Sequence, residues 1–257
     1  FYLKHVLKLD TLDDDVEELN ARDFGNLIHR VLKCFGESRW RHSKDDAAIA
    51  TYLEQQLEQS ADELYGGDPL FPVRIQIEQA RDRLKAFSQW QAERTRDGWE
   101  VAYTELKGHW TLPLGEMQSI EVVGRIDRID WHRDDHRWAI IDYKTGEEGK
   151  TPERAHRVRG EWVDLQLPIY RHLAAEVGVC GEVALGYISI PRDHDKLDWL
   201  PADWSQEDLT SADEVARQTA CQILRGEFWV ELDRPTKSHP EFGPICQDGV
   251  MNREAVV

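Results

Sequence analysis

The stretch IEVVGRIDRIDWHRDDHRWAIIDYK, Ile120 to Lys144, carries the reading of this chain. Two runs rich in aliphatic and aromatic residues, Ile120 to Trp131 and Arg137 to Lys144, flank the polar connection HRDDH and read as a β-hairpin. A two-residue loop at Asp134-Asp135 pairs Trp131 with Trp138, Ile129 with Ile140, Asp127 with Asp142 and Arg125 with Lys144. A longer loop would shift that pairing. Side chains alternate along a strand, so these pairs share one face, apolar near the turn and charged farther away. Opposed carboxylates with Cβ atoms about 5 Å apart repel unless a cation lies between them. Lys144 follows Asp142 by two residues and projects to the same side. Oxygen ligands with room for water suit Mg²⁺ or Mn²⁺, the ions that assist phosphodiester hydrolysis, and an adjacent lysine can orient water or offset transition-state charge. The competing reading is an exposed hairpin with cross-strand ion pairs.

Outward from the hairpin, the N-terminal part is helical. Phe24, Leu27, Ile28, Val31, Leu32 and Phe35 recur with the spacing of one helix face. Further helical patterns run from about Asp45 to Tyr65 and from about Val73 to Arg96, separated by the breaker Gly66-Gly67-Asp68-Pro69. VAYTEL and HWTLPL read as strands, as does VALGYISI, Val183 to Ile190. Helical spacing is expected again from about Val158 to Val177 and from Ser211 to Arg225. The expected fold is α/β, a central mixed sheet flanked by helices, in one nuclease-like domain. Residues 1–97 form its mainly helical part, 98–230 the sheet-containing core and 231–257 an irregular tail.

The 257 residues carry 32 Lys plus Arg against 49 Asp plus Glu, a formal charge of −17. Bulk charge therefore argues against a protein that holds nucleic acid over its whole surface, although a local basic strip works within a Debye length of about 8 Å. Such a strip is KTPERAHRVR, Lys150 to Arg159, in which Arg157 and Arg159 are candidates for backbone phosphates; a plain solvated loop is the alternative. Cys34, Cys180, Cys221 and Cys246 form no C-x-x-C pair and read as reduced, mostly buried thiols. The absence of a membrane-length apolar run or an apolar leader leads us to expect a cytoplasmic protein without a membrane partner. A start at Phe1 suggests a piece of a longer polypeptide.

The strings GRIDRID (Gly124 to Asp130), IIDYKTG (Ile140 to Gly146) and QLPIY (Gln166 to Tyr170), preceded by FGNLIHRVL (Phe24 to Leu32), resemble the RecB-like branch of the PD-(D/E)XK nuclease superfamily. The nearest likeness is the C-terminal nuclease domain of AddB-type and RecB-type recombination proteins, and FYLKHVLKL at the start is similar to the segment that opens those domains. The likeness runs through residues 1 to about 190 in the family's order, and implies a restriction-endonuclease-like core. It implies that Asp127 and Asp142 are metal ligands, that Lys144 is the catalytic lysine, and that the main-chain carbonyl of Tyr143 and the side chain of His29 join the metal site. Glu105 matches an upstream acidic position loosely. Gln166 and Tyr170 are expected to contact substrate or hold the lysine, with Trp162 one turn earlier on the same helix face as a packing residue. The alternative for that face is a half-buried packing surface kinked by Pro168. Cys246 stands alone in GPICQDG, without the spacing by which AddB-type domains hold an iron-sulfur cluster, so none is expected.

The function expected from this resemblance is a Mg²⁺- or Mn²⁺-dependent deoxyribonuclease. It would act as an exonuclease-type domain in DNA repair or recombination, with DNA as substrate and a helicase or the rest of a longer polypeptide as partner. The runner-up is a catalytically idle nucleic-acid-binding or scaffolding module. An unrelated hydrolase of small phosphoesters is the remaining reading.

Overall fold

The computed structural model describes residues 18–115, 118–146 and 150–227. The opening FYLKHVLKL string, Cys246 and the expected tail lie outside them. By its backbone contacts the chain divides into two compact units, residues 16–217 and residues 1–15 with 218–257. Of the second unit only 218–227, the end of a helix and the three residues after it, are described. The architecture below is that of the first.

Three helices come first: α1 (Ala21–Glu37), α2 (Asp46–Tyr65) and α3 (Phe71–Arg96). Each starts where the chain supplies a partner for free N–H groups or has none to satisfy. The Asn20 side chain accepts from the Asp23 N–H, Asp45 accepts from Ala47 and Ala48, and Pro72 opens α3. At Gly66, with φ of 77°, the chain turns out of α2 in the left-handed region.

The strands β1 (Trp99–Pro113), β2 (Ser119–His132), β3 (Arg137–Lys144), β6 (Val183–Ser189) and β7 (Asp198–Pro201) form one sheet in the order β1-β2-β3-β6-β7. Only the β3–β6 pair is parallel, so the sheet is mixed. VAYTEL and HWTLPL are one continuous strand, β1. Alternation along β3 divides its side chains between two cores. Ala139, Ile141 and Tyr143 pack with α1, α2 and α3, whereas Ile140 packs with Leu167, Leu173 and Ala174 of α5 (Gln166–Ala175) on the other face. Gly108 pairs with Gly124 where α5 comes closest; a Cβ on Gly108 would lie 2.6 Å from the Leu173 carbonyl oxygen. This is an α/β fold of the restriction-endonuclease-like kind.

The hairpin keeps the expected register, with Ile129 opposite Ile140 and Trp131 opposite Trp138. Its connection is longer than expected, four residues from Arg133 to His136, because His132 and Arg137 are the last pair. The lengthening is symmetric about Asp134-Asp135, which is why these pairs survive, but the ladder ends at Arg128 and Ile141, so the expected Asp127–Asp142 and Arg125–Lys144 pairs are not part of it.

Helix α5 begins later than expected. Residues 152–156 form a short helix, α4, followed by two-residue strands β4 (Arg157–Val158) and β5 (Glu161–Trp162) joined through Arg159 and Gly160, whose φ values are 54° and 86°. That left-handed pair reverses the chain. Trp162 is therefore on a strand, not one turn before Gln166. Pro168 is the third residue of α5, where no N–H is required, so it does not kink a helix interior. The last helix, α6, runs from Gln206 to Leu224. Cys34 and Cys221 are only half-buried and Cys180 is exposed, so the expectation of mostly buried thiols does not hold for the described cysteines.

Candidate metal centre

The apolar stripe of α1 sinks Leu27, Ile28, Val31 and Phe35 into the core, and the helix meets β1 at Gly36, beside Thr104. His29, on the flank of the stripe, is thereby turned toward the sheet, with Nδ1 3.5 Å from Asp127 Oδ2. Asp127 sits one step beyond the last paired residues of the hairpin, Arg128 and Ile141, and its Oδ2 accepts the Tyr143 N–H at 3.0 Å.

Glu105 lies in β1 between Thr104, paired with Arg128, and Leu106, paired with Ile126, and so stands across from Asp127. Its φ is 50°, left-handed in the middle of a strand. For a non-glycine residue that conformation costs about 1–3 kcal/mol. Its consequence is a convergence: one ligand atom from each of His29, Glu105 and Asp127 lies within 4.8 Å of the others. Glu105 Oε2 is also 2.8 Å from Nε of the exposed Arg125.

Asp142 is 3% exposed. Its Oδ1 accepts from Gln166 Nε2 at 2.9 Å, and the same amide donates to Tyr170 Oη at 2.6 Å. Its Oδ2 is 2.6 Å from Lys144 Nζ. That contact is an ion pair without hydrogen-bond alignment, which leaves Oδ2 a buried oxygen with no hydrogen-bond donor among the described residues. Burial, then the charge of Asp142, push the Asp127 carboxyl up to about 6, against the pull of His29 and of the Tyr143 N–H. Burial and Asp142 likewise raise the Tyr170 hydroxyl.

Crowded carboxylates, one of them with a buried oxygen that takes no aligned hydrogen bond and faces only the Lys144 ammonium, together with a nearby imidazole, form a donor set that fits a divalent cation. His29, Glu105 and Asp127 form the tight group, with Asp142 and Lys144 beside it on the next strand. Arg157 is occupied within the chain: Nη1 is 2.6 Å from Asp208 Oδ1, and Nη2 donates to the Gly160 carbonyl. Arg159 is exposed and makes no ion pair with a described residue.

Sequence reasoning missed the polar network under the site. Arg128, 1% exposed, donates through Nε and Nη2 to Asp130 and through Nη1 to Gln91, while Arg94 Nε donates to the same Asp130 at 2.8 Å. Alternation within GRIDRID was the available signal, since it sets Arg128 and Asp130 on the face opposite Ile129.

A family model described as the PD-(D/E)XK nuclease superfamily matches residues 1–247. An uncharacterized protein of Rickettsia bellii is 31% identical over 148 residues, covering 57% of this chain and 17% of that relative. Uncharacterized proteins of Rickettsia felis and Rickettsia typhi are each 31% identical, over 149 and 154 residues, and the match again takes in 17% of their length. The chain thus spans about a sixth of the relatives it matches. Among the described residues, no helix is long and apolar enough to cross a membrane.

Proposed function

This chain belongs to the PD-(D/E)XK nuclease superfamily, and from that premise we propose that it is a metal-dependent deoxyribonuclease, an exonuclease-type module of a DNA repair or recombination protein. The observation that carries the reading is the convergence of His29, Glu105 and Asp127 next to the Asp142–Lys144 pair. Residues 98–230 are read as the catalytic core, 1–97 as the helical part that contributes His29, and 231–257 as a tail.

In this reading His29, Glu105, Asp127 and Asp142 would hold the ion. The carbonyl of Tyr143 joins them, because in a strand a residue's C=O points to the same side as its N–H, which here faces Asp127. A divalent cation there supplies Lewis acidity toward water and a phosphate oxygen. The imidazole in the set favours Mn²⁺ over Mg²⁺. Gln166 fixes the rotamer of Asp142 by holding Oδ1, so that Oδ2 faces Lys144 and would be the oxygen offered to an ion. The Lys144 ammonium orients the attacking water or offsets charge on the phosphorane-like transition state. Tyr170 keeps the Gln166 amide in place, and Arg159, with Arg157 once released from Asp208, meets backbone phosphates.

The test is degradation of linear DNA by the purified protein with Mn²⁺ or Mg²⁺. Lys144→Ala is expected to lower the rate at least 100-fold while leaving Mn²⁺ binding in calorimetry intact. Full activity in Lys144→Ala removes the mechanism, and no Mn²⁺ binding by the parent returns the idle scaffolding reading.

A further inference from the structure

Beside Asp142 the Lys144 ammonium also meets the ring of Tyr187, its centroid 4.8 Å from Nζ. Tyr187 is buried in β6 and pairs with Asp142 across the parallel ladder. The other end of its side chain is also held: Oη is 2.6 Å from Nε2 of His156, which is 0% exposed. His156 Nδ1 faces the Asp164 carbonyl oxygen at 2.9 Å. A carbonyl only accepts, so Nδ1 carries the proton; in the neutral imidazole Nε2 is then the acceptor and Tyr187 donates. Asp164 in turn accepts the Gln166 N–H through Oδ1 at 2.7 Å, at the start of the helix whose Gln166 side chain grips Asp142. The frame closes on itself, from Asp142 through Gln166, Asp164, His156 and Tyr187 to Lys144.

We propose that Tyr187 and His156 are positioning residues for Lys144, the tyrosine ring holding the ammonium against Asp142 and the buried histidine fixing that ring. The Lys144 side chain is 41% exposed, and a long flexible side chain reaching solvent samples many rotamers unless something confines its tip. Contacts with the Asp142 carboxylate and with the Tyr187 ring together confine it. Donation of the Tyr187 proton to His156 makes the phenol ring richer in electrons, which strengthens its attraction for a cation. The proposal rests on the reading of Lys144 as the catalytic lysine only for its effect on cleavage; the confinement itself is independent of it.

The experiment therefore has two readouts. The first is competitive acetylation of the folded protein by acetic anhydride, with the extent at Lys144 measured by mass spectrometry against the exposed Lys107 as internal reference. Tyr187→Leu is expected to raise Lys144 labelling roughly two- to fivefold, the scale of a lost cation–π contact at a partly exposed site, and Tyr187→Phe, which keeps the ring and loses the His156 bond, to raise it less. The second is steady-state cleavage of linear DNA with Mn²⁺, in which Tyr187→Leu is expected to lower kcat about tenfold with KM unchanged. Labelling of Lys144 equal to the parent in both variants overturns the proposal. Should Tyr187→Leu label throughout its sequence, as an unfolded chain does, the isosteric Tyr187→Phe decides on the same criterion. A parent protein that cleaves nothing, with labelling changed as expected, overturns the nuclease reading and leaves the positioning of Lys144 standing.

Discussion

The Tyr143 N–H donates to Asp127 Oδ2 at 3.0 Å, joining β3 to β2 just past the point where Arg128 and Ile141 end their ladder. A side chain replaces a backbone carbonyl there, and the carboxylate that does so is largely buried beside a second one. Without a cation its ordinary value of 3.8 is pushed up to about 6, first by burial and then by Asp142. Between those values the folded state binds a proton that the unfolded chain does not. The stabilisation from this group is complete below the unfolded value and is lost as pH rises through the folded one, by at most about 3 kcal/mol. Asp127→Asn has no such charge. Urea midpoints of the metal-free proteins should therefore show the parent losing stability relative to Asp127→Asn as pH rises from 3.8 to about 6. Parallel curves over that window contradict the burial of this charge.

Glu105 carries a left-handed φ of 50° in a strand, a conformation that glycine adopts freely. Glu105→Gly removes a proposed ligand and the backbone strain together. Mn²⁺ affinity by calorimetry is expected to fall at least tenfold while the denaturation midpoint holds or rises, by up to about 1 kcal/mol in stability. A loss of stability with unchanged affinity would show a structural role for Glu105.

Gly36 is the contact of α1 with β1. A Cβ added there would lie 2.9 Å from the Thr104 Cβ, a branched residue on a strand that cannot swing aside. Gly36→Ala is expected to destabilise by about 1–3 kcal/mol despite better helix propensity, and to weaken Mn²⁺ binding by lifting the helix that carries His29. Thr104→Ala should restore part of both losses in the double variant. Additive losses would place the defect elsewhere.

Asp130 alone among the described carboxylates accepts from both Arg94 and Arg128 in the buried layer. Asp130→Asn leaves two guanidinium groups facing a neutral amide, and an uncompensated buried charge costs about 3–5 kcal/mol. Thermal unfolding should show a large loss, whereas replacement of an exposed partner such as Glu54, beside Arg81, should cost less than 1 kcal/mol. Equal effects would mean that the buried network is not what holds β2 to α3.

The local elements were legible because each is written in a short period. The stripe Leu27, Ile28, Val31 and Phe35 announces α1 and puts His29 on its flank, and alternation around HRDDH pairs Ile129 with Ile140 whether the loop has two residues or four. The start of α5 was not legible, because it depends on a reversal at Arg159 and Gly160 and on the Asp164 carboxylate accepting the Gln166 N–H, neither of which leaves a periodic trace. Arg157 was legible as a cation, but its neutralisation by Asp208 joins residues far apart in the chain.

The run from Gly124 to Lys144 needed only its own order to give two strands, a register and the side on which Asp127, Asp142 and Lys144 project, since period-two geometry acts over neighbouring residues. The composition of the site needed the packed molecule. His29 arrives because a glycine lets a helix settle on β1, Glu105 because a strained backbone turns its carboxylate inward, and the Tyr187 ring because a parallel strand and a buried histidine hold it beside Lys144. Long-range contacts between groups distant along the chain, enforced by burial of the two cores on either side of the sheet, have no signature in local spacing.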